Sequence, residues 1–156
     1  MIDDSVVLNK PSLAEQLARS ARLWRTVADS ELAPLGLTHS RWTLLWKLRG
    51  LNGKVSQKTL AKALEIELPS LMRTLKQLET QGLINRHCCH LDKRARIVSI
   101  TDAGKNVLTE IEGLILLIRS DLLAGIDDAQ LNIFQSVIER IIQNAINRLG
   151  DHNNLE

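Results

Sequence analysis

His87-Cys88-Cys89-His90 is the run of side chains best equipped to hold a soft or borderline metal ion or to react as thiols. On a strand, residues 87 and 89 point to one face and 88 and 90 to the other, so at most two ligands converge on one ion. No metal is therefore expected, and the two cysteines read as strand residues flanked by surface histidines. Arg86, Lys93, Arg94 and Arg96 are basic neighbours that favour a thiolate, so a thiol- or metal-responsive sensor acting through Cys88 and Cys89 is the alternative reading. A second set, Ser70, Arg73, Thr74 and Gln77, recurs at helical spacing. Arginine and glutamine can each make paired hydrogen bonds to a base edge, and serine and threonine can bond bases or phosphates. A third set, Asp92-Lys93-Arg94 in a polar, basic turn with Arg86 and Arg96 on either side of it, offers further contacts to DNA. The chain has no phosphate-cradling glycine motif, no His-Glu-x-x-His and no serine-elbow motif, so neither an enzyme nor a cofactor is expected.

Two helices and a hairpin must position these groups. Ser56 is an N-cap candidate for a short helix whose apolar stripe is Leu60, Ala61 and Leu64. Glu65-Ile66-Glu67 is a turn, and Pro69 suits a helix start. The spacing predicts a second helix over about 68–81, with Leu71, Leu75 and Leu78 on one side and the Ser70, Arg73, Thr74, Gln77 set on another. Gly82 supplies its stop. Leu83 to Arg86 and Ile97 to Ile100 read as two strands joined by the basic turn. A helix-turn-helix followed by a basic hairpin is a winged helix.

Around that centre the sequence is helical. Ser12 and Glu15 form a capping box. Leu13, Leu17, Ala21, Trp24, Ala28 and Leu32 then mark one apolar stripe, ended before Pro34. Thr38 caps a helix with Trp42, Leu45, Trp46 and Leu48 as its buried side, and Gly50 to Gly53 is a connector. A long helix starts at Thr101-Asp102 and ends by Gly125. Asp127 with Gln130 opens the last helix, which carries Leu131, Phe134, Ile138, Ile141, Ala145 and Leu149 on one side and Val137, Ile142 and Ile146 on another. So much apolar surface exceeds what a small winged helix can cover, and a second copy of the chain is the simplest cover. The expected layout is a mainly α fold with a small β-hairpin wing. Residues 37–101 form the DNA-binding winged helix-turn-helix, and 11–36 with 102–150 form a helical dimerisation region. Mobile ends are expected at 1–10 and 151–156.

At 156 residues and 44% hydrophobic, the chain can bury one ordinary core. Its net charge of +2 excludes a globally basic binder, but the charge is uneven. Residues 72–105 carry seven basic and three acidic side chains, whereas residues 106–156 carry three and eight. Positive charge thus gathers where the winged helix lies, as a local footprint for double-stranded DNA. The start, Met1-Ile2-Asp3-Asp4, is not that of a signal peptide, and the apolar run from Leu114 to Ile118 falls far short of the ~20 residues a membrane span needs. With two adjacent cysteines rather than a disulfide framework, a cytoplasmic protein with no membrane partner is expected.

Leu60-Ala61-Lys62-Ala63-Leu64, Pro69-Ser70-Leu71-Met72-Arg73-Thr74-Leu75, Gly82-Leu83-Ile84, Asp92-Lys93-Arg94 and Ile100-Thr101-Asp102-Ala103-Gly104 together resemble the MarR family, closest to its SlyA-like branch. The likeness runs from about Leu13 to Leu149. It implies a dimeric bacterial transcription regulator whose first and last two helices intertwine, with one winged helix per subunit. It also implies that Arg94 of the Asp-x-Arg motif enters a minor groove, and that a small aromatic carboxylate binds between the dimer helices and the winged helix. The positions matching that crevice are Arg22, Arg25, Trp42 and Trp46. Peroxide-sensing relatives carry a reactive cysteine in the first helix, and this chain has none there.

Overall fold

The computed structural model describes residues 10–91 and 94–153. The helices are α1 (Leu13–Leu32), α2 (His39–Gly50), α3 (Gln57–Leu64), α4 (Leu68–Thr80), α5 (Asp102–Leu122) and α6 (Asp128–Asn153). The strands are β1 (Lys54–Ser56), β2 (Ile84–Cys88) and β3 (Arg96–Ile100), and a 3-10 turn spans Ala33–Leu35. Two compact units divide between Arg119 and Ser120. The expected mobile segment at 1–10 lies, apart from Lys10, outside the described residues, as do the last three residues of the tail. The final helix continues past its expected end at 150, to Asn153.

Local chemistry sets the helix starts. Ser12 accepts from the Glu15 N–H at 3.2 Å while Glu15 accepts from the Ser12 N–H at 2.6 Å. Asp127 and Gln130 do the same at 2.7 and 3.1 Å, so both capping boxes form. Ser56 accepts from the Thr59 N–H and caps α3. Thr38 holds the N-cap position of α2, but its hydroxyl caps no backbone N–H; it accepts from Arg41 Nε at 3.2 Å instead.

The sheet departs from the expected two-strand hairpin. It has three strands in the order β1-β3-β2, both pairs antiparallel. Lys54, Val55 and Ser56 pair with Ser99, Val98 and Ile97 on the side of β3 away from β2. Three residues are too few for alternation to show, and the pairing partner lies more than forty positions away, so neither local pattern nor propensity marks β1.

The core of the first unit is built from one leucine face per helix. Leu32 of α1, Leu44, Leu45 and Leu48 of α2, Leu60 of α3, and Leu71, Leu75 and Leu78 of α4 are all buried, with Ile84, Val98 and Ile111 among them. Alternation in the strands supplies the sheet's share, since Ile84 pairs with Ile100, and Arg86 with Val98, on the face turned to α4. The second unit is different. Ile133, Phe134, Val137, Ile142, Ile146 and Leu149 of α6 are all exposed.

One joint ties the end of α4 and the start of α5 together. Gly82 adopts φ +72°, a left-handed turn that only glycine takes at little cost, and Leu83 N–H returns to Leu78 C=O at 3.0 Å. Thr101 then donates its hydroxyl to Gly82 C=O at 2.6 Å and its N–H to Leu83 C=O at 3.1 Å. The same hydroxyl accepts from Gly104 N–H at 3.0 Å and so caps α5. Gly104 lies so close that an added Cβ would meet the Leu83 carbonyl oxygen at 2.2 Å. Backbone cannot step aside as a flexible side chain can. Gly104→Ala should therefore destabilise the protein by about 1–3 kcal/mol, although alanine is the better helix former. Urea unfolding checks it; an unchanged or raised midpoint would show that the joint has slack.

Candidate nucleic-acid interface and the adjoining groove

The turn between α3 and α4 is tight because Glu65 takes a left-handed conformation, φ +53°, after which Glu67 is extended and Pro69 enters the first turn of α4. This presents the outer side of α4. Ser70, Arg73 and Gln77 are exposed there. Thr74 is not: it is buried, and its hydroxyl donates to Ser70 C=O at 3.2 Å. At roughly 100° per residue Thr74 stands between Gln77 and the Leu78–Leu71 side, and packing draws it inward. Its expected place on the base-reading face is corrected accordingly.

The hairpin brings further cations beside α4. Arg86 of β2 is half-buried and donates from Nε to Glu79 of α4, so it ties helix to hairpin where an exposed contact was expected. Arg96 is exposed and pairs across the strands with Cys88. Arg94 is exposed at the turn, while Asp92 and Lys93 lie outside the described residues. Cys88 is exposed at the end of β2; Cys89 follows the strand and donates its N–H to Ala95 C=O at 2.9 Å. His87 and Cys88 occupy opposite faces of β2.

A second feature lies within the first unit. A groove of about 500 Å³ is bounded by Trp24 and Ala28 of α1, Trp42 and Trp46 of α2, and Ile115 and Ile118 of α5. Its cations are Lys47 and Arg119. Of the four residues expected at a ligand crevice, Trp42 and Trp46 line this groove, and Arg22 and Arg25 are not among its lining residues. Trp24 and Ala28, four residues apart, define the side of α1 that meets the groove. Arg25 is about 100° round from Trp24 and Arg22 about 200°. Arg22 is exposed, and Arg25 Nε lies 3.6 Å from Asp29 Oδ2. Lys47 follows Trp46 and could have been suspected from that adjacency. Arg119 is distant in sequence and gives no such signal.

Asp29 fixes one wall. Its Oδ1 accepts from Trp42 Nε1 at 2.9 Å and lies 2.9 Å from His39 Nδ1, whose ring meets Trp42 edge-on at 5.2 Å. Partial burial pushes the Asp29 carboxyl up. The hydrogen bonds from Trp42 and His39, with the charges of His39 and Arg25, outweigh that and hold it below its ordinary value. Trp46 has Arg49 over its ring at 5.2 Å, and Arg49 in turn reaches Glu112 at 2.8 Å. That bond, ahead of the opposing burial, holds the Glu112 carboxyl down.

The model of the MarR family matches residues 37–95, the span from the start of α2 to the basic turn. The transcriptional regulator PA3341 is similar at 34% identity over 87% of this chain and 99% of its own, with a TM-score of 0.80. The chain belongs to the MarR family. As a MarR protein it is a DNA-binding transcriptional regulator. Two more distant structures share the fold. Escherichia coli MarR, in a mutant form complexed with operator DNA, matches at 19% identity and TM-score 0.77 over 83% of this chain and 92% of its own. Bordetella bronchiseptica BpsR, whose DNA binding is regulated by 6-hydroxynicotinic acid, matches at 18% identity and TM-score 0.74 over 83% and 97%. Among the described residues no helix is long and apolar enough to cross a membrane.

Proposed function

We propose that the protein is a cytoplasmic homodimer of the SlyA-like branch, acting on pseudo-palindromic, A·T-rich sites. Residues 37–101 read DNA, and 11–36 with 102–150 hold the copies together. The observation that carries the DNA reading is the outer side of α4, where Ser70, Arg73 and Gln77 stand exposed over a fully buried leucine face. One α4 per copy enters a major groove, with half-sites ~10 bp apart. Arg94, Arg96 and the Asp92-Lys93 turn meet an adjacent minor groove, where A·T tracts concentrate negative potential. Arg73→Ala should lose roughly 1–3 kcal/mol on a duplex selected by the protein from a random pool and less on an unrelated duplex. Equal losses on both, measured by fluorescence anisotropy, would remove the base-reading role.

Dimerisation is supported by α6, whose large apolar side chains stand exposed in one copy. Ile142→Glu with Ile146→Glu adds charge where a lone chain has water, so it leaves the single-chain fold intact. In a dimer it places unpaired carboxylates in an apolar contact, which costs several kcal/mol or so. Light scattering should report monomers; a dimer of unchanged mass would refute this assignment.

The tryptophan groove supports modulation by small aromatic acids. Its walls suit a ring, and Lys47 and Arg119 suit a carboxylate. BpsR is a fold relative regulated by such an acid. Titration with a hydroxybenzoate should quench tryptophan fluorescence saturably, and Lys47→Gln should weaken the binding about tenfold. Quenching that stays linear with concentration would argue against a site.

A further inference from the structure

We propose that a shallow cleft between α2 and α4 seats a phosphate of the DNA backbone, held by Arg41 and Lys76. The proposal rests on the DNA-binding reading above and adds a contact which that reading does not contain. The cleft, about 390 Å³, is lined by Arg41 from α2 and by Lys76, Gln77, Thr80 and Gln81 from α4. Two cations and three neutral hydrogen-bonding side chains meet there, and among the described residues no carboxylate lines it. An anion rich in acceptors is the complementary occupant.

Geometry selects a backbone phosphate from among anions. Gln77 belongs both to the cleft and to the exposed side of α4, so a surface lying along that side runs into the cleft without a break. A major groove is ~12 Å wide. An α-helix with its side chains is about as wide, at ~10–12 Å. A helix in the groove therefore has a sugar-phosphate wall on each flank. The hairpin lies along one flank, where Arg86 is joined to Glu79. The cleft opens at the C-terminal end of the outer side, where Arg41 of α2 meets the last turns of α4, so the wall passing that end lies over it.

Arg41 is built for a fixed contact there. Its Nε donates to Thr38 Oγ1 at 3.2 Å, which sets the guanidinium at the first turn of α2 and uses one of its five N–H groups. Lys76 brings a mobile point charge. The Thr80 hydroxyl donates to Lys76 C=O at 2.9 Å, so it remains able to accept but not to donate elsewhere. The two cations, rather than the threonine, hold the phosphate.

The test is binding to two duplexes, one selected from a random pool and one unrelated of equal length, across a salt series. Arg41→Gln and Lys76→Gln should each lower affinity by the same factor on both duplexes. Each should also shallow the slope of log affinity against log salt by about one for every phosphate left unneutralised, or about two per dimer. Arg41→Lys should keep most of the parent slope. Lys76 is exposed and makes no fold-defining contact, so its variant reads the idea even where Arg41→Gln perturbs α2. Parent slopes in both glutamine variants, with Arg73→Ala still losing selectivity, would overturn this phosphate site and leave the DNA reading standing. A parent protein that binds neither duplex would overturn both.

Discussion

The joint at Gly82-Leu83 and Thr101-Gly104 sets the geometry on which the rest of the winged helix depends. Three hydrogen bonds meet at one threonine hydroxyl and its own N–H, and a glycine leaves α5 no separation from the Leu83 carbonyl. The two ends of the hairpin are fixed there, since β2 leaves from Leu83 and β3 returns to Thr101. The hairpin's position beside α4 is thus fixed at its base by backbone groups and the Thr101 hydroxyl that joins them. Midway along its strands it is held by the Arg86–Glu79 pair. A backbone joint suits this role because it resists displacement in every direction, whereas a single exposed ion pair contributes little on its own.

With the hairpin anchored, α4 works as a two-sided element. Leu71, Leu75 and Leu78 lock its rotation about its own axis, because turning it would expose all three at once. That lock decides which polar residues face outward. Ser70, Arg73 and Gln77 do, and Thr74 at the boundary does not. The helix-turn-helix, β1 and the hairpin therefore share one core, and the exposed Arg73 and Arg96 sit on a helix and a strand of that support. Rigid placement of donors lowers the ordering cost of recognition.

Much of this was legible in the sequence because it is written in short-range chemistry. Capping boxes, a proline in the first helical turn, a glycine stop and leucines at helical spacing each act within one or two turns. They located α1, α3, α4 and α6 and both strands of the hairpin. What escaped depends on contacts between distant segments. β1 exists only because β3 offers it an edge. Thr74 is buried by its neighbours in space, since its own spacing leaves it on the boundary. Trp42 and Trp46 were marked by the family resemblance rather than by spacing, and neither marked the groove's cations, Lys47 and Arg119. Arg22 and Arg25 share α1 with Trp24 yet project from other sides of it. Asp29, which orients Trp42, gave no sequence signal, because a lone carboxylate within an amphipathic helix looks like a solvated charge.

Trp42 has one polar atom, and Asp29 already holds it. Whatever enters the groove meets that indole only as a flat apolar surface. Directional bonding there must come from elsewhere, and flat apolar walls distinguish poorly between guests that differ by one hydroxyl or one ring nitrogen. Such a wall favours breadth over selectivity. For the aromatic acids proposed above, tolerance is then set by the width between the rings rather than by a pattern of donors and acceptors.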